Sequence, residues 1–542
     1  MKPKSNSVVK TCVFIYFICS FDSFATSAND QPISNEARPN VVLMMVDDMG
    51  FSDLGCYGGE IETPNIDRLA KRGIRFNQFY NCAKCETTRS TMLSGRYYPE
   101  VNNQKLDHCI TIAEGMKLAG YRTIMTGKWH LEGNPVDRGF DRYFGHLSGA
   151  TNFFTGDNTF RIGKEKFEVP KKDFYTTDAN VDYAMKFLQE GRESDDPFFL
   201  YIAFNAPHYP LQAPEEDVRK YIGKYRGGWD QLRTDRFRRQ LRMGVIDSTT
   251  KLSPRPDDVP AWDSLTPAEQ EHQDLMMATY VAMIDRVDQN VGRLVKHLEE
   301  TNQIDNTLIM LLSDNGACPF QRTKPRSVKE KLAPWDSKSY WTYDKRWAHA
   351  CNTPFREYKQ NQHEGGITTP FIAHWPTRIG SEIQGKVTNQ SAHIVDIMAT
   401  CLDIASTKYP VIYKSEKVGP PRGVSLLPAF ALEKLERVEP IFFSFYGKNN
   451  AIREGDWKIV NKNFEKFELY NLANDRSELN DVSESSPEKF KAMRKHLDRL
   501  FEKVGQPVRK KNTKRNSKSG NQKKSGNVKK SGNVKKSGNV KG

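Results

Sequence analysis

Short, mostly apolar runs recur along the chain, each closed by a polar cluster, which is the pattern of strands buried on both faces of a parallel sheet. Val41 to Val46 ends in Asp47-Asp48, and Thr307 to Leu312 ends in Ser313-Asp314-Asn315-Gly316. Phe198 to Phe204 leads into Asn205-Ala206-Pro207-His208, and the shorter Arg122 to Met125 leads into Gly127-Lys128-Trp129-His130. Apolar positions at Met276, Tyr280, Met283, Ile284, Val287, Val291, Leu294, Val295 and Leu298, with charges opposite, predict a long helix packed on that sheet. The interval from Tyr221 to Trp262 is polar, rich in Arg and Pro and without a strong period, which reads as an insertion near a site mouth. The expected class is α/β. Ligands of open α/β sheets bind beyond the carboxyl ends of the strands, so the polar clusters are expected to converge.

Length adds a second unit, because 542 residues exceed one simple core and fit a large α/β domain followed by a smaller one. The amino terminus carries Lys2, Lys4 and Lys10, an apolar run from Cys12 to Phe21, then Ala25, Ser27 and Ala28. This predicts a signal peptide over residues 1–28, cut near Ala25 or Ala28, and an exported, periplasmic or secreted protein. An uncleaved anchor is the alternative, although the run is shorter than the roughly 20 apolar residues that a membrane span needs.

The formal charge of +14 suggests a polyanion binder until its position is considered. Between Arg509 and Lys541 stand 13 basic residues and no acid, so the rest of the chain is close to neutral and no nucleic-acid partner is expected. The tail, residues 507–542, repeats Lys-Lys-Ser-Gly-Asn-Val with almost nothing to bury and is expected to be disordered. It is suited to acidic polysaccharide or a cell surface, or is a solubilising extension.

Beyond the signal segment lie Cys56, Cys82, Cys85, Cys109, Cys318, Cys351 and Cys401. If one is consumed chemically, the other six could pair in an oxidising compartment. Cys82 and Cys85 form a CxxC, but no second CxxC or His pair at zinc spacing completes a zinc site. Asp47-Asp48 and Asp314-Asn315 offer hard oxygen ligands suited to Ca²⁺ or Mg²⁺, or else cap helices and build turns. Lys128, His130, His208 and Lys359 could form a cationic pocket for an anionic group.

The segment Cys85-Glu86-Thr87-Thr88-Arg89-Ser90-Thr91-Met92-Leu93-Ser94-Gly95-Arg96 resembles the signature of the formylglycine-dependent sulfatases, arylsulfatase-like members of the alkaline phosphatase superfamily. The likeness continues in order through Asp47-Asp48, Gly127-Lys128-Trp129-His130, Ala206-Pro207-His208, Ser313-Asp314-Asn315-Gly316 and Glu364-Gly365-Gly366-Ile367-Thr368-Thr369-Pro370. Arg453-Glu454-Gly455-Asp456-Trp457-Lys458 and Glu468-Leu469-Tyr470-Asn471-Leu472 look like the family's carboxy-terminal part. Thr87 departs from the family's usual Pro or Ala at that place, which bears on maturation. His363 beside the Glu-Gly-Gly motif is either a substrate contact or a structural histidine.

The resemblance implies an alkaline-phosphatase-like fold, with a central mixed, mostly parallel sheet between helices and a small antiparallel sheet with a helix at the carboxyl end. It divides the chain into a catalytic domain over residues 38–435 and a subdomain over 436–506. It implies that Cys85 is converted to formylglycine by a maturation enzyme, and that one Ca²⁺ is held by Asp47, Asp48, residue 85, Asp314 and Asn315. Arg89 would steady residue 85, Lys128 and Lys359 would grip sulfate, His130 would assist breakdown of the sulfated enzyme, and His208 would protonate the departing alcohol. A hydrated aldehyde explains the modification: one hydroxyl attacks sulfur and the other later expels sulfate, which a serine cannot do. The expected activity is hydrolysis of sulfate esters, with sulfated carbohydrate as substrate. Two other readings are a phosphoester or phosphonate hydrolase of the same superfamily and a silent sulfoglycan-binding protein.

Overall fold

The computed structural model describes residues 38–505, so the expected signal peptide and basic tail lie outside the described residues. In chain order the main sheet contains β1 (Asn40–Val46), β2 (Ile74–Tyr80), β3 (Arg122–Gly127), β4 (Arg142–His146), β5 (Phe160–Ile162), β6 (Glu165–Lys166), β7 (Phe198–Ala203), β8 (Thr307–Ser313), β9 (Thr368–His374), β10 (Val387–Thr388) and β11 (Ala392–His393). Their spatial order is β10-β2-β9-β8-β1-β7-β3-β4-β5-β6, with β11 also pairing β2. The centre, β8-β1-β7-β3-β4, is parallel. β9 runs antiparallel between β8 and β2, and β5 and β6 turn back at the far edge.

The apolar run of β1 is continuous because both of its faces are covered. Val42, Met44 and Val46 enter one core with Tyr280, Ile284, Val287 and Val291 of the helix Pro267–Glu300. Val41, Leu43 and Met45 enter the opposite core with Met92 and Leu93 of the helix Cys85–Ser94. Each such side chain contributes roughly 1.5–3 kcal/mol by leaving water. The long helix begins before the predicted apolar period because Thr266 caps it: its hydroxyl accepts from Glu269 N, and the Glu269 carboxylate accepts from Thr266 N at 2.8 Å. Pro267 takes the first turn, where its missing N–H costs nothing.

One sequence expectation gains detail and another is corrected. The segment 221–262, expected as an insertion near the site mouth, contains the helix Gly228–Arg242, whose bonds run to the loop after β1. Arg236, fully buried, donates to Asp53 Oδ1 at 2.7 Å and to Glu60 Oε2 at 2.8 Å, so this helix buries a charged face and shows no apolar period. The six cysteines besides Cys85 do not pair; all seven described cysteines are free and buried. They sit in separate packing environments, Cys82 with Thr91 and His393, Cys109 with Leu106 O, and Cys56 and Cys351 across the sheet from both.

After the main sheet, Ile441–Phe445, Asn449–Glu454, Trp457–Asn461 and Glu468–Asn471 form an antiparallel meander. Phe442, Ile452, Ile459 and Leu469 meet Met493 and Leu497 of the helix Pro487–Lys503, while Phe443, Ala451 and Val460 pack on Tyr80 and Ile367. The alternation of β-strand side chains thus buries both faces of this small sheet.

Candidate active site

Register alone brings three polar strand ends together. Val46 pairs Ser313, so Asp47 and Asp314 leave the sheet level with each other, and Gly127 pairs Ala203, itself paired with Met45, so Lys128 leaves one residue below them. Asp314 N donates to Val46 O, Asp47 N to Ala206 O and Lys128 N to Ala203 O, extending the ladder by one step. Asp48 then takes φ 71°, a left-handed conformation uncommon outside glycine, which turns its carboxylate back beside Asp47.

Cys85 enters from the side as the first residue of the helix Cys85–Ser94, all ten residues of which are buried. A helix amino terminus presents free N–H groups and a positive dipole end, a setting that favours anions. Thr88 fixes this end, accepting from Cys82 N at 3.0 Å and donating to Asp314 O at 2.7 Å. Cys85 Sγ lies 3.5 Å from Asp47 Oδ1 and 3.1 Å from Lys359 Nζ. Lys128 Nζ pairs with Asp47 Oδ2, and Lys359 Nζ with Asp48 Oδ1. Arg89 Nη2 reaches Asp314 Oδ2 at 3.2 Å and Asp47 Oδ2 at 3.5 Å, while Nη1 donates to Lys128 O at 2.9 Å. Asn315 Nδ2 donates to Asp48 Oδ1 at 2.6 Å.

Apart from His363, the site residues anticipated from sequence lie together here. His208 Nδ1 donates to Tyr209 O at 2.7 Å, which leaves Nε2 turned to Asp48 Oδ2, 3.6 Å away. His130, at φ 55°, brings a ring nitrogen within 4.8 Å of the Cys85 thiol and a Glu86 oxygen. His363 stands apart, buried against Glu468 Oε2 at 2.7 Å, and is structural. Cys82 turns to Thr91 rather than to Cys85, so the CxxC is no paired site.

Sequence reasoning missed Tyr201, whose hydroxyl lies 3.4 Å from Arg89 Nη1, and Tyr280, whose hydroxyl donates to Asp48 O at 3.2 Å. Both read as core residues, since nothing local marks a phenol that meets a site. Glu86 also finds its reason: Tyr446 donates to Oε1 at 2.8 Å, joining the site helix to the loop after strand Ile441–Phe445.

The charges explain one another. Burial opposes ionisation of Asp47, but Lys128, His208, Arg89 and Lys359 together overcome it and hold its carboxyl well below the usual range. Burial, then Asp47, pushes Asp314 up to about 7, and burial with Asp47 beside it drives the Cys85 thiol well up. Burial lowers His208 to about 4 and takes His130 well down, helped at His130 by the neighbouring Lys128.

Asp48 Oδ2 and Asn315 Oδ1 are buried oxygens with no hydrogen-bond partner. Such an orphan costs roughly 1–3 kcal/mol unless something else satisfies it. Ligand atoms of Asp47, Asp48, Cys85 and His208 lie within 4.8 Å of one another, a possible metal site in which the two carboxylates offer the hard oxygen donors that a divalent cation takes. A nucleophile-bearing position, a possible metal site, three cations and two histidines around one buried point form an arrangement for transfer of an anionic group.

Residues 39–407 match the family model described as Sulfatase. The chain is 32% identical over 516 residues to an uncharacterised sulfatase of Schizosaccharomyces pombe, covering 83% of this chain and 91% of that one. It is 31% identical over 435 residues to an arylsulfatase of Klebsiella aerogenes, covering 72% and 92%. The crystal structure of Ps i-CgsB in complex with k-i-k-neocarrahexaose is similar with a TM-score of 0.63 and 26% identity, over 86% of this chain and 92% of that one. With the mixed sheet, the small antiparallel sheet and the converged site, these matches place the chain in the sulfatase family, as a sulfuric ester hydrolase on the alkaline-phosphatase-like fold.

Proposed function

We propose that this sulfatase is exported, carries formylglycine at position 85 and one Ca²⁺, and releases sulfate from sulfated carbohydrate. The observation that carries this reading is the placement of Cys85 at a buried helix start, in contact range of Asp47 and Lys359. Asp47, Asp48, residue 85, Asp314 and Asn315 would hold the ion; when bound, it lowers the pKa of the attacking hydroxyl and offsets sulfate charge. The aldehyde hydrate at position 85 supplies the two hydroxyls that the reaction uses.

The remaining groups position and move charge. Arg89 fixes Asp47 and Asp314 against each other, and so fixes the bed on which residue 85 sits. Lys128 and Lys359 point into the centre, where they are placed to take sulfate oxygens. His208, pinned through Nδ1, presents Nε2 to the leaving oxygen and returns a proton there. His130 stands on the Cys85 side and serves release of sulfate. The carbohydrate reading is supported by the oligosaccharide in the structurally similar protein, and export by the amino-terminal pattern. The same amino-terminal context would supply the maturation enzyme as a transient partner.

Cys85 is 2% exposed, and the Thr87 hydroxyl donates to Lys84 O at 2.9 Å, closing the first turn. A maturation enzyme therefore has to meet this segment before it folds. Folded, unconverted chain mixed with that enzyme should stay unconverted, whereas co-expression should convert it, as read by aldehyde labelling.

Chelation followed by gel filtration should reduce turnover by at least about a hundredfold, with Ca²⁺ restoring it. His208→Ala should cost about 10²–10⁴-fold on a sugar sulfate and far less on nitrophenyl sulfate, whose leaving group needs no proton. Released sulfate measured beside released phosphate, on matched monoesters and diesters, tests the activity itself. Sulfate release is expected to dominate; dominant phosphate release would support the phosphoester reading, and neither product would support the silent binder.

A further inference from the structure

The face beside His208 carries a second, outward cavity of about 460 Å³, within the roughly 300–1,000 Å³ range of small-ligand pockets. Its place is set by two segments that end at the catalytic cluster. On one side, Pro210 lines it two residues after His208, and the His208 and Tyr209 rings lie 4.1 Å apart. On the other, Ala150 and Thr151 line it directly after Gly149, whose backbone passes so near His130 that a methyl there would lie 2.5 Å from Nε2. The cavity thus borders the segment that carries His208 and the segment that passes His130.

Its walls are tied together. Asn152 Nδ2 donates to Ser337 O at 2.6 Å, and Gln212 links Phe153 N at 3.0 Å to Ser339 O at 3.0 Å. Lys324 N donates to Tyr340 O at 3.1 Å, and Tyr340 N to Ser327 Oγ at 2.7 Å. Walls fixed in this way lose little freedom when a ligand arrives.

The lining is cationic and aromatic. Lys324, Arg326 and Lys338 face one acid, Asp157, whose oxygens are already taken by Ser148 at 2.6 Å and by Thr159 N at 2.7 Å. Lys324 sits 4.3 Å from the Tyr340 ring centroid, and Arg326 pairs with Glu330 at the surface. Among the described residues, no carboxylate pairs with Lys324 or Lys338. The Thr151 hydroxyl is buried at 5% exposure and has no hydrogen-bond partner.

We infer that this cavity receives the sugar next to the sulfated one, and that it selects a sugar bearing its own anionic group, a sulfate or a carboxylate. This rests on the sulfatase reading above. The Tyr340 ring offers a face for the sugar, Thr151 offers a hydroxyl to one of its oxygens, and Lys324 and Lys338 supply the charge. The enzyme is therefore selective for polyanionic saccharide over singly sulfated, otherwise neutral saccharide.

The test uses three disaccharides that share one sulfated sugar and differ in the other, which is neutral, sulfated or a uronate. Matured full-length chain is compared with Lys324→Ala/Lys338→Ala by kcat/KM, or by Ki against nitrophenyl sulfate where a disaccharide is not turned over. The wild type should prefer one or both charged disaccharides about tenfold, through KM or Ki, and the preference should shrink toward unity in the double variant and at high salt. Whichever charged sugar is favoured identifies the group. Equal treatment of all three by the wild type, or a preference that survives in the double variant, overturns the inference. Failure of the wild type to release sulfate from any compound, nitrophenyl sulfate included, strikes the sulfatase reading instead. Calorimetric binding of the same three disaccharides then judges the cavity, with the same order expected and the same results against it.

Discussion

Cys85→Ala is expected to lower kcat on sulfate esters by on the order of 10⁵–10⁶-fold, because covalent catalysis is lost altogether. The fold should survive. Among the described residues the thiol makes two hydrogen bonds, to Asp47 at 3.5 Å and Lys359 at 3.1 Å, and both partners keep their stronger pairings with Lys128 and Asp48. Cys85→Ser separates nucleophilicity from release: one hydroxyl can attack, but no second one expels sulfate. That variant should release at most one equivalent of alcohol per chain and then stop, a burst visible in rapid-quench kinetics. Sustained turnover by either variant at more than about a hundredth of the wild-type rate would remove residue 85 from the mechanism.

The second large effect concerns stability. Lys458 is fully buried on the strand Trp457–Asn461, where its ammonium meets Glu364 Oε1 at 2.8 Å and Glu478 Oε1 at 2.7 Å. Arg476 pairs with the other Glu364 oxygen, and Tyr80 donates to it at 3.0 Å. Glu364 opens the Glu-Gly-Gly segment leading into β9, so this network joins the small sheet to the main one. Lys458→Ala leaves two buried carboxylates short of a partner and should cost roughly 3–5 kcal/mol, read as a lower denaturant midpoint. Glu478→Gln added to Lys458→Met removes one of those charges and should recover part of the loss. A single variant as stable as the wild type would show that water reaches this network.

The central strands were legible because their rule is simple: a strand covered on both faces is apolar between its ends, as β1 and β8 are. The candidate site was legible because all of its segments except the loop that carries Lys359 follow such a strand or stand at a helix start, where polarity is conspicuous. The helix Gly228–Arg242 was hidden because, after Trp229, its buried residues are Arg233, Arg236 and Gln240, whose partners Ser253, Asp53, Glu60 and Tyr57 O lie 20 or more residues away in sequence. Tyr201 and Tyr280 were hidden for the opposite reason, since an aromatic ring in an apolar stripe reads as core whatever its hydroxyl meets. Cysteine pairing failed because spacing carries no information on which side of the sheet each thiol is placed. The cationic cavity was not foreseen because Asn152, Lys324 and Lys338 are brought together by the bonds of Asn152 and Gln212 to the 337–339 segment and of Lys324 to Tyr340, all between residues far apart or without a local pattern.

The proposed formylglycine at position 85 is tested most directly by the mass of the tryptic peptide Cys85–Arg89. Protein exported by its native host, or made with a co-expressed maturation enzyme, would be reduced and alkylated before digestion. Conversion of the thiol to an aldehyde predicts a peptide lighter by about 18 Da than the unmodified sequence and refractory to alkylation. A peptide found wholly as alkylated cysteine, from protein that still hydrolyses sulfate esters, would contradict the account.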